Sequence, residues 1–320
     1  ANLYYDDGHW ADAIIVFHQL EKLEIENFKK NNGDELCHYQ TMVTNAVVSS
    51  SPKDKQIEEI SRQIALSKKF ESEKHDPAKI KKCQQETISF AWDSATQWHL
   101  EAVGSESAPG TKDPGTMKLC IQMYDEILKN YPNLDELKVE GFDENTRPTK
   151  YRVAYYKAEL YWTMEDWANC AQAFDAVVDI DPTGVYTSDS AYAAVLCYNK
   201  IYVTNRSGSD KERTHKLKSD VATKTCDANC KKCKKECGKK KDSAEKAECL
   251  RKCDEGERVV LEEKELTDLE KGTLKSYERY VCYVNEGEDL VNIKYRRARI
   301  YYEANMFQEA AVLLKDIAVN

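Results

Sequence analysis

A run of small and aromatic residues between Tyr151 and Pro182 constrains the fold of this chain more than any other feature. Ala154, Ala158 and Tyr161 recur at intervals of three and four residues, so they share one face of a helix. Glu165-Asp166 then marks a short turn, and Asp181-Pro182 ends a second helix. The apolar face of that second helix consists of Trp167, Cys170, Phe174, Val177 and Val178.

This helix pair resembles the tetratricopeptide repeat, a unit of about 34 residues. With Tyr151 as position 1, the small residues that the family has at positions 8 and 20 are Ala158 and Cys170. Such small residues allow two helices to approach closely. The family's aromatic positions 11, 17 and 24 and its proline at position 32 are Tyr161, Trp167, Phe174 and Pro182. Position 27 departs from the usual alanine, because it is Val177.

Two further stretches match the same register. From Val291 onward, positions 8, 11, 17, 20 and 24 are Ala298, Tyr301, Phe307, Ala310 and Leu314. Near the N-terminus, positions 11, 15, 17, 20 and 24 are Tyr4, Gly8, Trp10, Ala13 and Phe17. The chain opens and stops inside repeat-like patterns, so we expect a fragment or a processed product.

Two more copies look interrupted. The first has its leading helix over Ala91–Leu100 and its second helix over Met117–Pro132, with a loop between them at Gly104–Gly115. The second has helices near Ser188–Tyr202 and Leu266–Val284, separated by a lysine-rich insertion. Residues 35–90 are predicted to be helical without a clean register.

The predicted fold is therefore all-α, a right-handed α-solenoid of tetratricopeptide-like helix pairs over 1–204 and 261–320 with an inserted helical hairpin over 205–260. The resemblance implies that proteins or peptides bind in a concave groove lined by positions 2, 5, 9, 12 and 13. Tyrosine, tryptophan and arginine at such positions are the residue types that dominate binding hot spots. The implied groove residues are Arg152, Tyr155, Glu159, Trp162 and Thr163 in one copy and Asn292, Tyr295, Arg299, Tyr302 and Glu303 in another.

Six cysteines crowd into the insertion: Cys226, Cys230, Cys233, Cys237, Cys249 and Cys253. The last four read C-x3-C, eleven residues, C-x3-C, which suits two antiparallel helices joined by a turn near Gly238. Nested bridges Cys233–Cys253 and Cys237–Cys249 would follow, as in the helical hairpins with twin C-x3-C motifs that this segment resembles. Cys226 and Cys230 would pair with each other or stay reduced. Zinc is the rival, but no histidine lies among these cysteines and the main spacing is x3.

The remaining cysteines stand singly and are expected to be small buried hydrophobes: Cys37, Cys83, Cys120, Cys170, Cys197 and Cys282. The segment Lys231–Lys241 is strongly basic within a chain of net charge −9. It is either a solvated face or a contact for an acidic partner, an anionic surface or a polymer. Nucleic-acid binding is not expected, because no aromatic residues interleave with the lysines.

No catalytic motif is visible, and neither a cofactor nor a metal is expected. No run of residues is apolar enough for a transmembrane segment. We expect a non-catalytic scaffold that binds other proteins in an extracytoplasmic or envelope assembly, because disulfides persist in oxidising compartments. The interrupted repeats are similar to tetratricopeptide proteins of bacterial envelope machineries, including those for gliding and export in myxobacteria-like species. The alternative is a carrier of a small ligand or an anionic polymer.

Overall fold

The computed structural model describes residues 1–27, 32–73, 75–105, 107–202, 228–255, 263–284 and 287–319. Helices make up nearly all of the regular structure in these ranges, so the all-α class is confirmed. The chain divides into two compact units, Ala1–Cys197 and Tyr198–Asn320. Both predicted ends of the insertion, 205 and 260, lie outside the described residues. None of the described helices is long and apolar enough to cross a bilayer.

Helices in the first unit follow one another with mostly short connections. They are α1 (Asn2–Asp6), α2 (Trp10–Glu26), α3 (Leu36–Ser50), α4 (Lys53–Ser72), α5 (Pro77–Val103), α6 (Pro114–Asn130), α7 (Leu134–Leu137), α8 (Lys150–Thr163) and α9 (Trp167–Ile180). Helix α10 covers 187–202 and contains the boundary between the units. The second unit contains α11 (Ala228–Cys237), α12 (Ser243–Glu255), α13 (Asp268–Tyr283), α14 (Leu290–Glu303) and α15 (Phe307–Val319).

The helix pairs predicted at 151–182 and 291–320 are present as α8–α9 and α14–α15. Three turns share one backbone conformation at position 15 of the predicted register. Gly8, Glu165 and Asn305 have φ values of 73°, 56° and 62°, in the left-handed region. In each turn the next amide donates to the carbonyl five residues back, for example Asp166 N to Tyr161 O at 3.0 Å. This is the Schellman ending of a helix.

The small residues of the register are fully buried. Ala158 and Cys170 have no exposed surface, and neither do Ala298 and Ala13, while Ala310 is 1% exposed. No larger side chain could occupy these positions without pushing the paired helices apart. The sequence pattern thus marks the places where the helices of each pair lie closest.

Packing in the described part follows chain order. Helix α2 packs on α3, α4 on α5, α5 on α6 and α8 on α9, and contacts extend mainly to helices one or two places further on. The largest core lies among α4, α5, α6 and α8, and it includes Ile60, Ile64, Ile88, Trp98, Met123, Tyr124, Ile127 and Leu160. This core holds α5 and α8 in fixed positions.

The connection between α5 and α6 is not the plain loop that the sequence predicts. Gly104–Ser105 pairs with Ala108–Pro109 as a two-stranded antiparallel ladder. A Cβ atom on Gly104 would overlap backbone atoms of Ala108–Gly110, one on Gly110 would overlap the backbone of Ala102 and Val103 at the end of α5, and Gly104 has a φ of 93°. Two glycines at a close backbone approach therefore make this turn possible.

Four of the six single cysteines are bonded, so the expectation of isolated buried thiols is wrong for them. Cys37 is joined to Cys83 and Cys170 to Cys197, with Cα–Cα distances of 5.8 and 6.1 Å. Each bridge links two helices, α3 to α5 and α9 to α10. Among the described residues, Cys120 and Cys282 remain free, the first buried and the second exposed.

The cysteine hairpin consists of α11 and α12, joined by a turn that contains Gly238. Cys233 is bonded to Cys253 and Cys237 to Cys249, with Cα–Cα distances of 5.9 and 5.5 Å. This is the nested pairing that the twin C-x3-C spacing predicts. The predicted pair Cys226 and Cys230 cannot be compared, because Cys226 and the Cys230 side chain lie outside the described part.

Candidate functional site

A cleft of about 420 Å³ lies in the first unit between α5 and α8. Helix α5 supplies Trp92, Thr96, His99 and Leu100, which follow each other at helical spacing on one side of the helix. Its neighbouring side carries Ala91, Ala95 and Ala102, which are fully buried in the core. One helix thus serves both the core and the cleft.

The opposite wall comes from α8 and the segment before it. Helix α8 contributes Tyr156 and Glu159, and the preceding segment contributes Phe142 and Thr146. That segment is held in place because the Asp143 carboxylate accepts the Thr146 amide at 2.9 Å. The Trp92 indole Nε1 donates to the Thr146 carbonyl at 3.1 Å and ties this wall to α5.

Helix α8 begins at a fixed point, because the Thr149 hydroxyl accepts the backbone amide of Arg152 at 3.1 Å. Such a side-chain cap satisfies an amide that has no partner within the helix. The helix ends at the left-handed turn around Glu165. Cap and turn together set the position of Tyr156 and Glu159 along the cleft.

Aromatic rings line much of the cleft. Trp92 and Tyr156 stack with centroids 5.4 Å apart and planes 10° from parallel. His99 lies 5.2 Å from Tyr156 by ring centroids. Leu100 is 57% exposed at the cleft and adds an apolar side chain to the lining. The cleft therefore offers rigid apolar surface to an occupant.

Two ionisable groups lie side by side in the cleft. The His99 imidazole is 3.4 Å from the Tyr124 hydroxyl through Nδ1 and 3.9 Å from the Glu159 carboxylate through Nε2. Burial lowers the pKa of His99 to about 4, so the ring is neutral at physiological pH. Burial raises the pKa of Glu159 to about 7, although a hydrogen bond with Tyr155 opposes the shift. Glu159 is therefore half ionised near neutrality.

The charges that line the cleft have one sign. Asp93 and Glu159 are its carboxylates, and no lysine or arginine occurs among its described lining residues. Because His99 is neutral above pH 6, nothing in this lining compensates the carboxylates. The arrangement favours a cationic or hydrogen-bond-donating occupant.

The predicted groove residues of α8 have mixed surroundings. Glu159 lines the cleft. Tyr155 is half-buried and stacks on Tyr186 with centroids 4.1 Å apart. Trp162 is half-buried and meets Trp167 edge to face at 5.6 Å. The side chains of the other two make hydrogen bonds to the backbone: Arg152 donates to the Arg147 carbonyl, and Thr163 donates to the Glu159 carbonyl.

The predicted groove residues of α14 lie in the second unit. Tyr295 and Tyr302 are 50% and 58% exposed, and Tyr302 meets Phe307 edge to face at 5.4 Å. Arg299 pairs with Glu303 at 2.7 Å, and the Asn292 side-chain oxygen accepts a hydrogen bond from Arg296. This set lies on one face of α14, whereas a cavity of the second unit is lined by other residues of α14 and α15, among them Arg297, Tyr301 and Val312.

Sequence reasoning missed Trp92, His99, Phe142 and Tyr156. One signal could have found the residues of α5. If Ala95 is position 8 and Trp98 position 11 of the interrupted copy, then positions 5, 9, 12 and 13 are Trp92, Thr96, His99 and Leu100. These are the groove positions of that register. Phe142 and Thr146 come from a segment without regular spacing, so no register identifies them.

The cysteine hairpin has a compact sulfur cluster. The Sγ atoms of Cys233, Cys237 and Cys253 lie within 4.8 Å of one another, a spacing that also suits a metal ion. Because the structure bonds these sulfurs in pairs, they are not thiolate ligands in this state. Lysines cover the outside of α11 and its turn: Lys231, Lys232, Lys235, Lys239, Lys240 and Lys241 are exposed.

Comparison with models of protein families gives no match to this chain, and no curated protein matches it in sequence.

Proposed function

We propose that this protein is a non-catalytic scaffold that binds other proteins, and that the cleft between α5 and α8 is one of its docking sites. We further propose that the helix pairs in each unit are tetratricopeptide-like repeats stacked as a right-handed solenoid. One observation carries the proposal: Trp92, Thr96 and His99 of α5 and Glu159 of α8 line the same cleft. In the proposed repeats these residues would stand at groove positions of two successive copies.

The surface of the cleft supports a binding role. Its described lining contains no serine or cysteine nucleophile. His99 is a poor general base at neutral pH, because burial lowers its pKa to about 4. The aromatic and leucine surfaces, by contrast, are typical of a site that buries a partner's side chain.

The test uses a matched pair of leucines in the same unit. Leu100 at the cleft and Leu23 on α2 are 57% and 52% exposed. An aspartate at either position should leave the fold intact, because both side chains already face solvent. We expect Leu100→Asp to abolish partner capture from an envelope extract, with Leu23→Asp capturing as the unchanged protein does. Equal capture by both variants would remove the cleft from the proposal.

The proposed setting is an extracytoplasmic or envelope assembly. Support comes from four disulfides, two within the first unit and two in the hairpin. Such bonds form and persist in oxidising compartments. Mass mapping of peptides without reductant tests this setting: bridged peptides are expected, and a full set of alkylated thiols in protein from its native source would refute it.

A second candidate function rests on the exposed lysines of α11 and its turn, which suit an anionic polymer or surface. Replacing Lys231, Lys235 and Lys239 with glutamine should release such a polymer at lower salt. The control replaces Lys22, Lys118 and Lys129, which lie in the first unit. Identical elution of the two triple variants would exclude this role.

A further inference from the structure

We propose that the cleft between α5 and α8 accepts an arginine side chain of a partner polypeptide, with Glu159 as its counter-ion. This inference rests on the proposed docking function of the cleft and names the chemistry of the partner. It follows from the charge of the lining, the arrangement of apolar surface and the volume available.

The first argument is charge complementarity. The lining contains two carboxylates, Asp93 and Glu159, and no described cationic side chain. Nε2 of His99 lies 3.9 Å from the Glu159 carboxylate, and the His99 ring is neutral at physiological pH. The side chain of Glu159 is about one third exposed, so an occupant can reach it. A partly buried carboxylate without a cation is destabilised, and an incoming guanidinium lowers that cost.

The second argument concerns the surface next to Glu159. Tyr156 lies three residues before Glu159 on α8 and is half-buried in the cleft. An aromatic ring beside a carboxylate attracts a planar cation through its electron-rich face. Because Trp92 stacks on one face of Tyr156, the guanidinium would meet the other face. Leu100 adds exposed apolar surface against which the methylene stem of an arginine can pack.

The third argument is size. About 420 Å³ accommodates one long side chain together with the short backbone segment that carries it. Of the two carboxylates in the lining, Glu159 lies three residues from Tyr156 on α8, whereas Asp93 lies on α5 and accepts a hydrogen bond from the Ser89 hydroxyl at 3.4 Å. We assign the pairing to Glu159 because the aromatic surface adjoins it.

The pH dependence follows from the groups that face Glu159. Helix α5 presents His99 and Asp93, α6 presents Tyr124, and α8 itself presents Tyr155 and Tyr156, with Arg152 one turn earlier. Tyr186 and Asp189, just before and within α10, face Tyr155. Between pH 6 and 8 Glu159 is the group whose charge changes most, because its pKa is raised to about 7. Arginine binding should therefore strengthen as pH rises through this range.

The experiment compares two N-acetylated, C-amidated tripeptides, Ala-Arg-Ala and Ala-citrulline-Ala, by calorimetry on the full chain. Citrulline has the shape of arginine without its charge. At pH 8 we expect the arginine peptide to bind at least about tenfold more tightly. Between pH 8 and pH 6 its affinity should fall about tenfold, as the ionised fraction of a group with a pKa near 7 falls.

Glu159→Gln should reduce the preference for arginine to within about twofold, while Asp93→Asn should leave most of it. Equal affinities for the two peptides, an unchanged preference in Glu159→Gln, or tighter binding at pH 6 would each overturn the inference. The docking proposal and the arginine inference can be refuted independently. If Leu100→Asp abolishes partner capture while arginine and citrulline bind equally, the cleft docks a partner by other chemistry.

Discussion

Removing the bridge between Cys170 and Cys197 should lower the unfolding free energy of the first unit by an amount that depends on the length of the loop it closes. Both residues lie in the first unit, and replacing both with alanine removes the bridge with little loss of packing. Alanine suits position 20 of the register, as Ala13 and Ala310 show at the equivalent positions. The bridge closes a loop of 27 residues, for which the loss of chain entropy in the unfolded state amounts to about 3.5 kcal/mol. We expect the double variant to lose about that much unfolding free energy.

The assay is urea unfolding followed by tryptophan fluorescence without reductant. All five tryptophans lie in the first unit, so the signal reports on that unit alone. With a slope of about 2 kcal/mol per M urea, the midpoint should fall by about 1.5–2 M. Cys120→Ala, at the buried free cysteine of the first unit, is the matched control, and it should lower the midpoint by only about 0.5 M because it removes packing but no bridge. A double variant as stable as the unchanged protein would refute the bridge and the reasoning built on it.

Three other predictions concern the turns, caps and charges of the fold. Glu165 adopts a left-handed conformation, with a φ of 56°. Glu165→Gly should therefore raise the unfolding free energy by about 1 kcal/mol in the same urea assay, and a loss would contradict the turn. Thr267 forms a capping box with Glu270 at the start of α13. Thr267→Ala should lower the thermal midpoint of the second unit, at a cost of about 1 kcal/mol, and an unchanged midpoint would exclude the cap. Because the pKa of Glu159 is raised to about 7 from 4.5, its contribution to stability is complete below pH 4.5 and is lost as pH rises through 7. Glu159→Gln should remove that slope and stabilise the first unit at pH 8 by about 1–2 kcal/mol, after allowance for solvent screening of a side chain that is one third exposed. A stability profile with the same slope in the variant would contradict the assigned cause.

The helix pairs could be read from the sequence because their constraints are local. Small residues such as Ala158 and Ala298 must stand where two helices touch, and the turn before Trp167 must follow at a fixed interval. Spacing along the chain records both constraints. The nested bridges Cys233–Cys253 and Cys237–Cys249 were predictable for the same reason, since a hairpin brings residues at complementary distances from its turn together.

The bridges Cys37–Cys83 and Cys170–Cys197 could not be predicted in this way. They join residues 46 and 27 positions apart on different helices, and no local spacing records their proximity. In addition, a cysteine at a position that requires a small residue is already accounted for by packing, so it does not indicate a bond. The second role of Cys170 becomes visible only when α10 is placed next to α9.

The cleft was missed because its walls come from a helix whose sequence pattern is unclear and from an irregular segment. The ladder at Gly104 separates α5 from α6, so the sequence pattern around Trp92 and His99 is interrupted. Phe142 precedes α8 in a segment shaped by hydrogen bonds to Asp143, such as that from the Thr146 amide. The raised pKa of Glu159 likewise depends on burial between helices, which spacing alone does not reveal.

Hydrogen exchange of the captured complex tests the central claim most directly, because it locates the docking surface without a substitution. The protein is compared with and without its partner, and protection is mapped along the chain. Docking in the cleft predicts new protection at Trp92–Gly104 and Tyr156–Glu159. Protection confined to α11 and α12, with no change along α5 and α8, would contradict it.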